Sequence, residues 1–238
     1  MRKLLFLVFW GLASIAHAET ISFITEDYPP FAYRDGKDIK GATIDEINAI
    51  MADIGTPYTI DVMPWARAYT LAQTTPFTCA FVTAHNAERD KLFKWVEPLL
   101  IDHNILIKHT GSDVQAEDLD EARKYVVGTW RQDYTETLLR QANFPKIDVA
   151  ADFKSTMKKL VSDRIDLMPI SEFYFQKLQQ EGQPIEAVTL LSSQPMGISC
   201  QKDFPDELLG KMQAALNRLI ADGRQKQMFL QYGLKLDN

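Results

Sequence analysis

Apolar and polar residues recur along this chain at two different periods, and the switches between them mark out its elements. Short apolar runs at Ile21–Thr25, Tyr58–Met63 and Phe77–Val82 read as strands. Between the first two, Thr43-Ile44-Asp45-Glu46 reads as a capping box opening a helix. That helix carries Ile44, Ile47, Ile50, Met51 and Ile54 and is closed by Gly55. Trp65–Gln73 predicts a second helix, and a short one is expected at Arg89. Further on come strands Asn104–Lys108, Tyr125–Thr129, Ile147–Ala150 and Ile165–Ile170, with helices Tyr134–Gln141, Ser155–Ser162 and Glu172–Gln180 among them. A last strand, Met196–Gln201, leads into an amphipathic helix bearing Leu208, Leu209, Met212, Ala215, Leu216, Leu219 and Ile220, ended by Gly223. This alternation predicts an α/β fold of mostly parallel sheets flanked by helices. Two polar breaks, near residues 109–113 and 192–195, bracket a middle block. The expectation is a second lobe, residues 109–194, inserted into a first lobe made of 19–108 and 195–238. A cleft between them is the natural ligand site.

The N-terminus adds a compartment. Arg2 and Lys3, an apolar run from Leu4 to Ile15, and Ala16-His17-Ala18 form a signal peptide in three ordered parts. Residues 1–18 are therefore expected to be removed after Ala18 and the protein to be exported to the periplasm. No cysteine follows the cleavage site, so no lipid anchor is expected. Without Arg2 and Lys3, the 26 basic residues fall to 24 against 32 acidic ones, a net charge of −8. Phosphate backbones would repel such a chain, which argues against nucleic acid. Hydrophobic residues make up 46% of the sequence, enough for ordinary globular cores. The histidines are scattered and no Cys/His pair has ligand spacing, so neither a metal nor a cofactor is expected.

The most informative stretch is Thr83–Pro98. It sets Arg89 at the start of a short helix, just past the carboxyl end of an apolar strand. A guanidinium there presents a planar, permanently charged fork suited to a carboxylate.

Several segments, taken in order, resemble the family 3 periplasmic solute-binding proteins that serve ABC importers of polar amino acids. They are Thr25-Glu26-Asp27-Tyr28-Pro29-Pro30-Phe31 with Asp35-Gly36 and Gly41; Ala87-Glu88-Arg89 with Phe93, Trp95 and Pro98; and Gly128 with the Arg131–Asp133 turn. Arg164-Ile165-Asp166-Leu167 and the C-terminal Ala221-Asp222-Gly223 complete the set. The resemblance runs over essentially the whole mature chain. It implies the two-lobed type II fold, two mixed, mostly parallel sheets joined by two crossover segments that hinge shut on a ligand. It also implies a small-molecule ligand and transient contact with an inner-membrane ABC permease. We expect a monomer.

Carried over residue by residue, the resemblance makes Tyr28 the aromatic that stacks on the ligand and Arg89 the grip on its α-carboxylate. Trp65 falls near a second wall, or seals the core. Asp133 heads a second-lobe helix whose free N–H groups bind the carboxylate, or is only a cap. Arg131 offers a second cation across the cleft. Two positions depart from the pattern. Ala84 replaces a Ser or Thr, removing one hydrogen bond. Ser171, followed by Glu172, replaces an aspartate that would meet the ligand's ammonium. Trp130, His85 and Glu26 are candidates for tailoring the pocket. The strands holding Cys79 and Cys200 run side by side in the family, which implies a disulfide; two buried thiols are the alternative.

The leading expectation is a non-enzymatic binding protein delivering a small, carboxylate-bearing solute. A periplasmic dehydratase on the same scaffold, with Glu172 as acid, and a sensory accessory protein are the alternatives.

Overall fold

Strand β1 (Ile21–Thr25) is buried at four of its five positions, as a strand covered on both faces must be. The computed structural model describes residues 19–236. The signal-peptide reading lies outside those residues. β1 pairs in parallel with β4 (Tyr58–Val62) on one side and β5 (Thr78–Ala84) on the other. Between β1 and β4 the chain forms a small hairpin, β2 (Tyr33–Asp35) and β3 (Asp38–Lys40), and helix α1 (Ala42–Ile54).

The first turn of α1 corrects the capping-box expectation. The N-cap is Gly41, at φ 138°, where a side chain would strike the Phe31 carbonyl oxygen at 2.0 Å. Thr43 sits inside the first turn and donates its hydroxyl to that same carbonyl at 2.8 Å. Glu46 turns into the core instead of reaching back to a cap. The apolar stripe Ile44, Ile47, Ile50 and Met51 is buried, and Gly55 ends the helix in the left-handed conformation.

Helix α2 (Trp65–Thr74) follows β4, and the four-residue α3 (Ala87–Asp90) follows β5. Then comes β6 (Lys94–His109), a 16-residue strand that pairs antiparallel with the equally long β10 (Ile185–Cys200). Between them lie α4 (Leu119–Ala122), β7 (Val127–Trp130), α5 (Tyr134–Gln141), β8 (Ile147–Ala150), α6 (Phe153–Leu160), β9 (Met168–Ser171) and α7 (Glu172–Gln180). Helices α8 (Asp206–Ala221) and α9 (Arg224–Gln231) close the chain.

The main sheet runs β4-β1-β5-β10-β6-β9, with β7 and β8 paired in parallel beside it. It is a mixed sheet flanked by helices, parallel on the β4-β1-β5 side and antiparallel from β5 through β10 and β6 to β9. The polar break at 192–195 is not a coil. Ser192, Ser193, Gln194 and Pro195 stay extended within β10, opposite Asn104, His103, Asp102 and Ile101 of β6. Cross-strand pairing satisfies the backbone there, so polar side chains do not interrupt the strand.

Cys79 and Cys200 face each other across β5 and β10 and are joined as a disulfide. One apolar cluster packs α1, α8 and α9 on the sheet, a second fills the body around β7 to β9, and a third, between them, holds Ile24, Trp65, Trp130, Phe153 and Ile170. Helices α2, α3, α5, α6 and α7 each start at the carboxyl end of a strand, and α2, α6 and α7 pack side chains into that third cluster. No helix among the described residues is long and apolar enough to cross a membrane.

Candidate functional site

Arg89 is held from its backbone outward. The Asn86 side chain caps α3, accepting from Glu88 N at 3.1 Å and Arg89 N at 2.9 Å. Arg89 as a residue is only 4% exposed. Its Nη1 donates to the Ala84 carbonyl at 3.3 Å and its Nη2 to the Gln132 carbonyl at 2.8 Å. Three rings surround it: the guanidinium carbon lies 5.0 Å from the Tyr69 centroid, 5.6 Å from Trp65 and 5.7 Å from Tyr134. Carbonyl dipoles and ring faces ease the burial of a cation but do not neutralise it. A buried charge without a counter-ion costs several kcal/mol. A planar cation so placed is able to take an anion as a further partner.

Strained backbone shapes the walls around it. Gln132 sits at φ 61° in the turn between β7 and α5, which aims its carbonyl at Arg89 and also at Trp65 Nε1, 3.0 Å away. Val82, a β-branched residue, is held at φ 56°. The β5–β10 register slips there, Gly197 facing Thr83 and Ile198 facing Phe81, so Val82 is the extra residue of a bulge. Val82 lines the cavity beside Arg89, and Gln132 fixes the guanidinium through its carbonyl, in a region where such conformations tend to collect.

That cavity is lined by Tyr28, Trp65, Val82, Ala84, Arg89 and Asp133 together with Glu26, Asp102, Asn104, Trp130 and Tyr134. Asp133 is both a cap and a wall. Its Oδ1 accepts from Thr135 N at 2.9 Å and from the Thr135 hydroxyl, closing the N-terminus of α5. Burial raises its carboxyl, against the pull of Thr135 and Arg89. Burial also lifts Glu26 well above the usual carboxylate range, and Asp133 beside it adds to the rise. Trp130 Nε1 lies next to Glu26 and offsets part of that, without hydrogen-bond geometry to any described group.

The expected site residues divide. Tyr28, Trp65, Arg89 and Asp133 meet in the cavity. The Tyr28 ring packs among Phe31, Phe153 and Tyr174, and its hydroxyl accepts from Ser171 N at 2.9 Å. Ser171 is fully buried one layer back. Glu172 is outside the lining, because it starts α7 past the end of β9. Arg131 is a correction: it is exposed, since the tight turn that buries Trp130 and Asp133 directs the two residues between them, Arg131 and Gln132, outward. His85 also stands apart, stacked 4.1 Å from Trp95, with its ring nitrogens against Glu97 and Asp90. The Ala84 methyl offers no hydrogen bond, and its carbonyl is used by Arg89.

Sequence reading missed Asp102, Asn104, Tyr134 and Tyr69. A signal for the first two exists. They are polar residues two apart within an apolar strand, so they share a face with Leu100 and Leu106, and all four are buried. Asp102 accepts from the Ser171 hydroxyl at 2.6 Å and from Asn104 Nδ2 at 2.9 Å. Asn104 Nδ2 also donates to the Tyr134 hydroxyl. Among the described residues no group of three His, Cys, Asp or Glu is arranged to hold a metal.

The profile of the bacterial extracellular solute-binding proteins, family 3, matches residues 21–235. No curated protein matches the chain significantly. Among solved structures, an ancestral arginine-binding protein bound to arginine is similar, with a TM-score of 0.81 and 21% identity over 91% of this chain and 99% of that one. A histidine kinase sensor domain with similarity to periplasmic binding proteins gives 0.82 at 16% identity, over 92% and 98%. An ancestral amino acid-binding protein, a precursor of cyclohexadienyl dehydratase, gives 0.78 at 18% identity, over 90% and 95%. At these identities the likeness establishes the fold.

Proposed function

This chain belongs to the bacterial extracellular solute-binding proteins, family 3, and from that premise we propose that it captures a small polar solute bearing a carboxylate and delivers it to an ABC permease. The solute sits in the cavity at Arg89. The lobes, residues 19–108 with 195–238 and residues 109–194, close over it. The observation that carries this reading is Arg89, 4% exposed, whose guanidinium donates to the Ala84 and Gln132 carbonyls and has no ion pair among the described residues. A carboxylate entering there supplies the missing counter-charge with bidentate geometry. Hydrogen bonds that join residues of the two proposed lobes support the same reading: Tyr28 with Ser171, and Arg89 and Trp65 with Gln132. Closure expels water and strengthens the pairing within. Export to the periplasm, a monomeric state and a non-enzymatic role belong to this proposal.

The dehydratase reading loses its acid, since Glu172 does not line the cavity. The sensory reading keeps the same site and differs only in the partner. Its support is the likeness to a kinase sensor domain.

A thermal-shift screen of amino acids, small organic acids, sugars and short peptides tests the proposal. Ligand at 100 times its Kd stabilises by about 2.7 kcal/mol, which at this chain length raises the melting temperature by roughly 5–10 °C. Carboxylate-bearing compounds are expected to give the shifts. A screen in which only compounds without a carboxylate do so would overturn it.

A further inference from the structure

His85 lies outside the cavity, yet its ring is held on more sides than an isolated surface histidine needs. Nδ1 meets both carboxylate oxygens of Glu97, at 2.9 and 2.8 Å, and Nε2 meets Asp90 Oδ1 at 3.1 Å. The ring also stacks on Trp95, with centroids 4.1 Å apart and planes 14° from parallel. A neutral imidazole has one N–H and one acceptor nitrogen, so it can donate to only one of two carboxylates. Both contacts are hydrogen bonds only while the ring carries two protons. We propose that His85 is a positioning residue for Arg89, a proton-operated clasp that fixes α3 on β6 when doubly protonated and frees Asp90 when a proton leaves. The proposal rests on the reading of Arg89 as the anion-binding group of the solute site.

Two routes connect the clasp to Arg89. The first runs through the backbone. Helix α3 is a single turn, too short to hold itself, so side-chain ties decide where it sits. Asn86 fixes its start, and Asp90, the residue after Arg89, is tied at its end by His85. The opposite end of the clasp is firm. Glu97 N donates to Gln213 Oε1 at 2.9 Å and the Glu97 carbonyl accepts from Gln213 Nε2 at 2.8 Å, which pins that part of β6 to α8. The second route runs through rings. Trp95 meets Phe93 edge-on at 5.9 Å, Phe93 meets Tyr69 at 5.4 Å, and the Tyr69 ring lies 5.0 Å from the guanidinium carbon.

The charged groups in contact with the ring are both acidic, Glu97 from β6 and Asp90 from α3. The other charges on those elements are engaged elsewhere or face solvent. Arg89 donates to the Ala84 and Gln132 carbonyls, Glu88 accepts from Thr137, Lys94 pairs with Asp206, and Lys91 is exposed. Strand β10 presents the Pro195 carbonyl, which accepts from His85 N at 2.9 Å, and α8 presents the neutral Gln213.

The direction of the effect follows. As pH rises through the range in which an imidazole discharges, between about 5 and 8, one of the two donors is lost. Glu97 approaches with two oxygens and is 30% exposed against 63% for Asp90, so the remaining N–H stays with Glu97 and the Asp90 tie opens. Helix α3 then spends less time with Arg89 in place, and apparent affinity falls with the competent fraction. An ion pair this exposed is weak, so the expected change is about two- to fivefold.

Hydrogen exchange on the mature chain without solute reads the clasp directly. Protection of the Arg89 and Asp90 amides, corrected for intrinsic exchange, should fall about two- to fivefold from pH 5.5 to pH 8, in step with the titration of the His85 ring signals in NMR spectra. In His85→Gln, which cannot titrate, it should stay flat. Calorimetry with L-glutamine and L-arginine, whose charges do not change over that range, reads the consequence. The ratio of wild-type to His85→Gln affinity should fall by the same factor; groups that titrate in the cavity are common to both chains and cancel. Asp90→Ala separates the clasp from simple charge attraction. Removing a negative charge beside Arg89 would tighten anion binding, whereas opening the clasp weakens it at pH 5.5. Unchanged wild-type protection across this range overturns the proposal, a result that needs no variant to fold. So does an equal change in His85→Gln, and so does tighter binding by Asp90→Ala. The two readings fail separately. If neither probe binds at any pH, the solute-site reading loses its support while the exchange data still decide the clasp.

Discussion

Two buried ionisable side chains of this chain show how surroundings decide a residue's part. Arg89 is a buried cation that donates to two backbone carbonyls, with the raised carboxyls of Asp133 and Glu26 in the same lining, and its place at a cavity makes its charge useful. Glu46 is an acid given half a partner set, and no cavity explains it. It is fully buried under α9, where Oε1 accepts from Gln225 Nε2 at 2.7 Å and Oε2 has no partner among the described residues. Burial holds its carboxyl well above the ordinary value, with Gln225 opposing the shift. The folded chain thus binds this proton more tightly than the unfolded chain. The stabilisation is fully present below the ordinary carboxylate range and is lost as pH rises through the raised value. Glu46→Gln keeps the neutral shape at every pH. Its melting temperature should exceed wild type at pH 8 and converge with it near pH 4, by differential scanning calorimetry; a difference independent of pH would refute the assignment. Sequence pattern made Arg89 legible, because its place after an apolar strand is local information. The fate of Glu46 was not legible, because a capping box and an inward-turned glutamate look the same in one dimension.

At the scale of elements, the helices and central strands were readable from period alone, and the long strands were not. β10 begins with Ile185–Pro195, whose partly exposed, mixed residues have no clean alternation. Pairing with β6 makes it a strand, and pairing is non-local. The start of α1 depends likewise on a close approach that no propensity reveals. Gly41 lies at φ 138° against the Phe31 carbonyl. Gly41→Ala combines a forbidden backbone conformation with a backbone clash, and should cost roughly 3 kcal/mol. Urea denaturation would measure it, and a loss below about 0.5 kcal/mol would show that the turn relaxes freely. The bulge at Val82 and the turn at Gln132 belong to the same class. Each is a local strain that only the assembled sheet and helices impose; Val82 ends up on the cavity wall, and Gln132 turns its carbonyl to Arg89 and Trp65 behind it.

For the whole molecule, the order and spacing of short motifs were enough to place the chain in its family and fold, because the matches extend from one end of the described chain to the other. The cavity was legible only in part. Tyr28, Trp65, Arg89 and Asp133 were anticipated, as were Glu26, Ala84 and Trp130 at its walls. Asp102, Asn104 and Tyr134 reach the cavity from a long strand and a helix whose meeting depends on how the two halves of the molecule pack. What unites these parts is one claim, that Arg89 waits in an enclosed, aromatic-walled space for a ligand's negative charge. Titration calorimetry of wild type and Arg89→Met, with the tightest carboxylate-bearing compound from the screen, tests that claim most directly. The account predicts a loss of affinity of at least about 100-fold, near 2.7 kcal/mol, with the unliganded variant melting no lower than wild type. Affinity within threefold of wild type would contradict it.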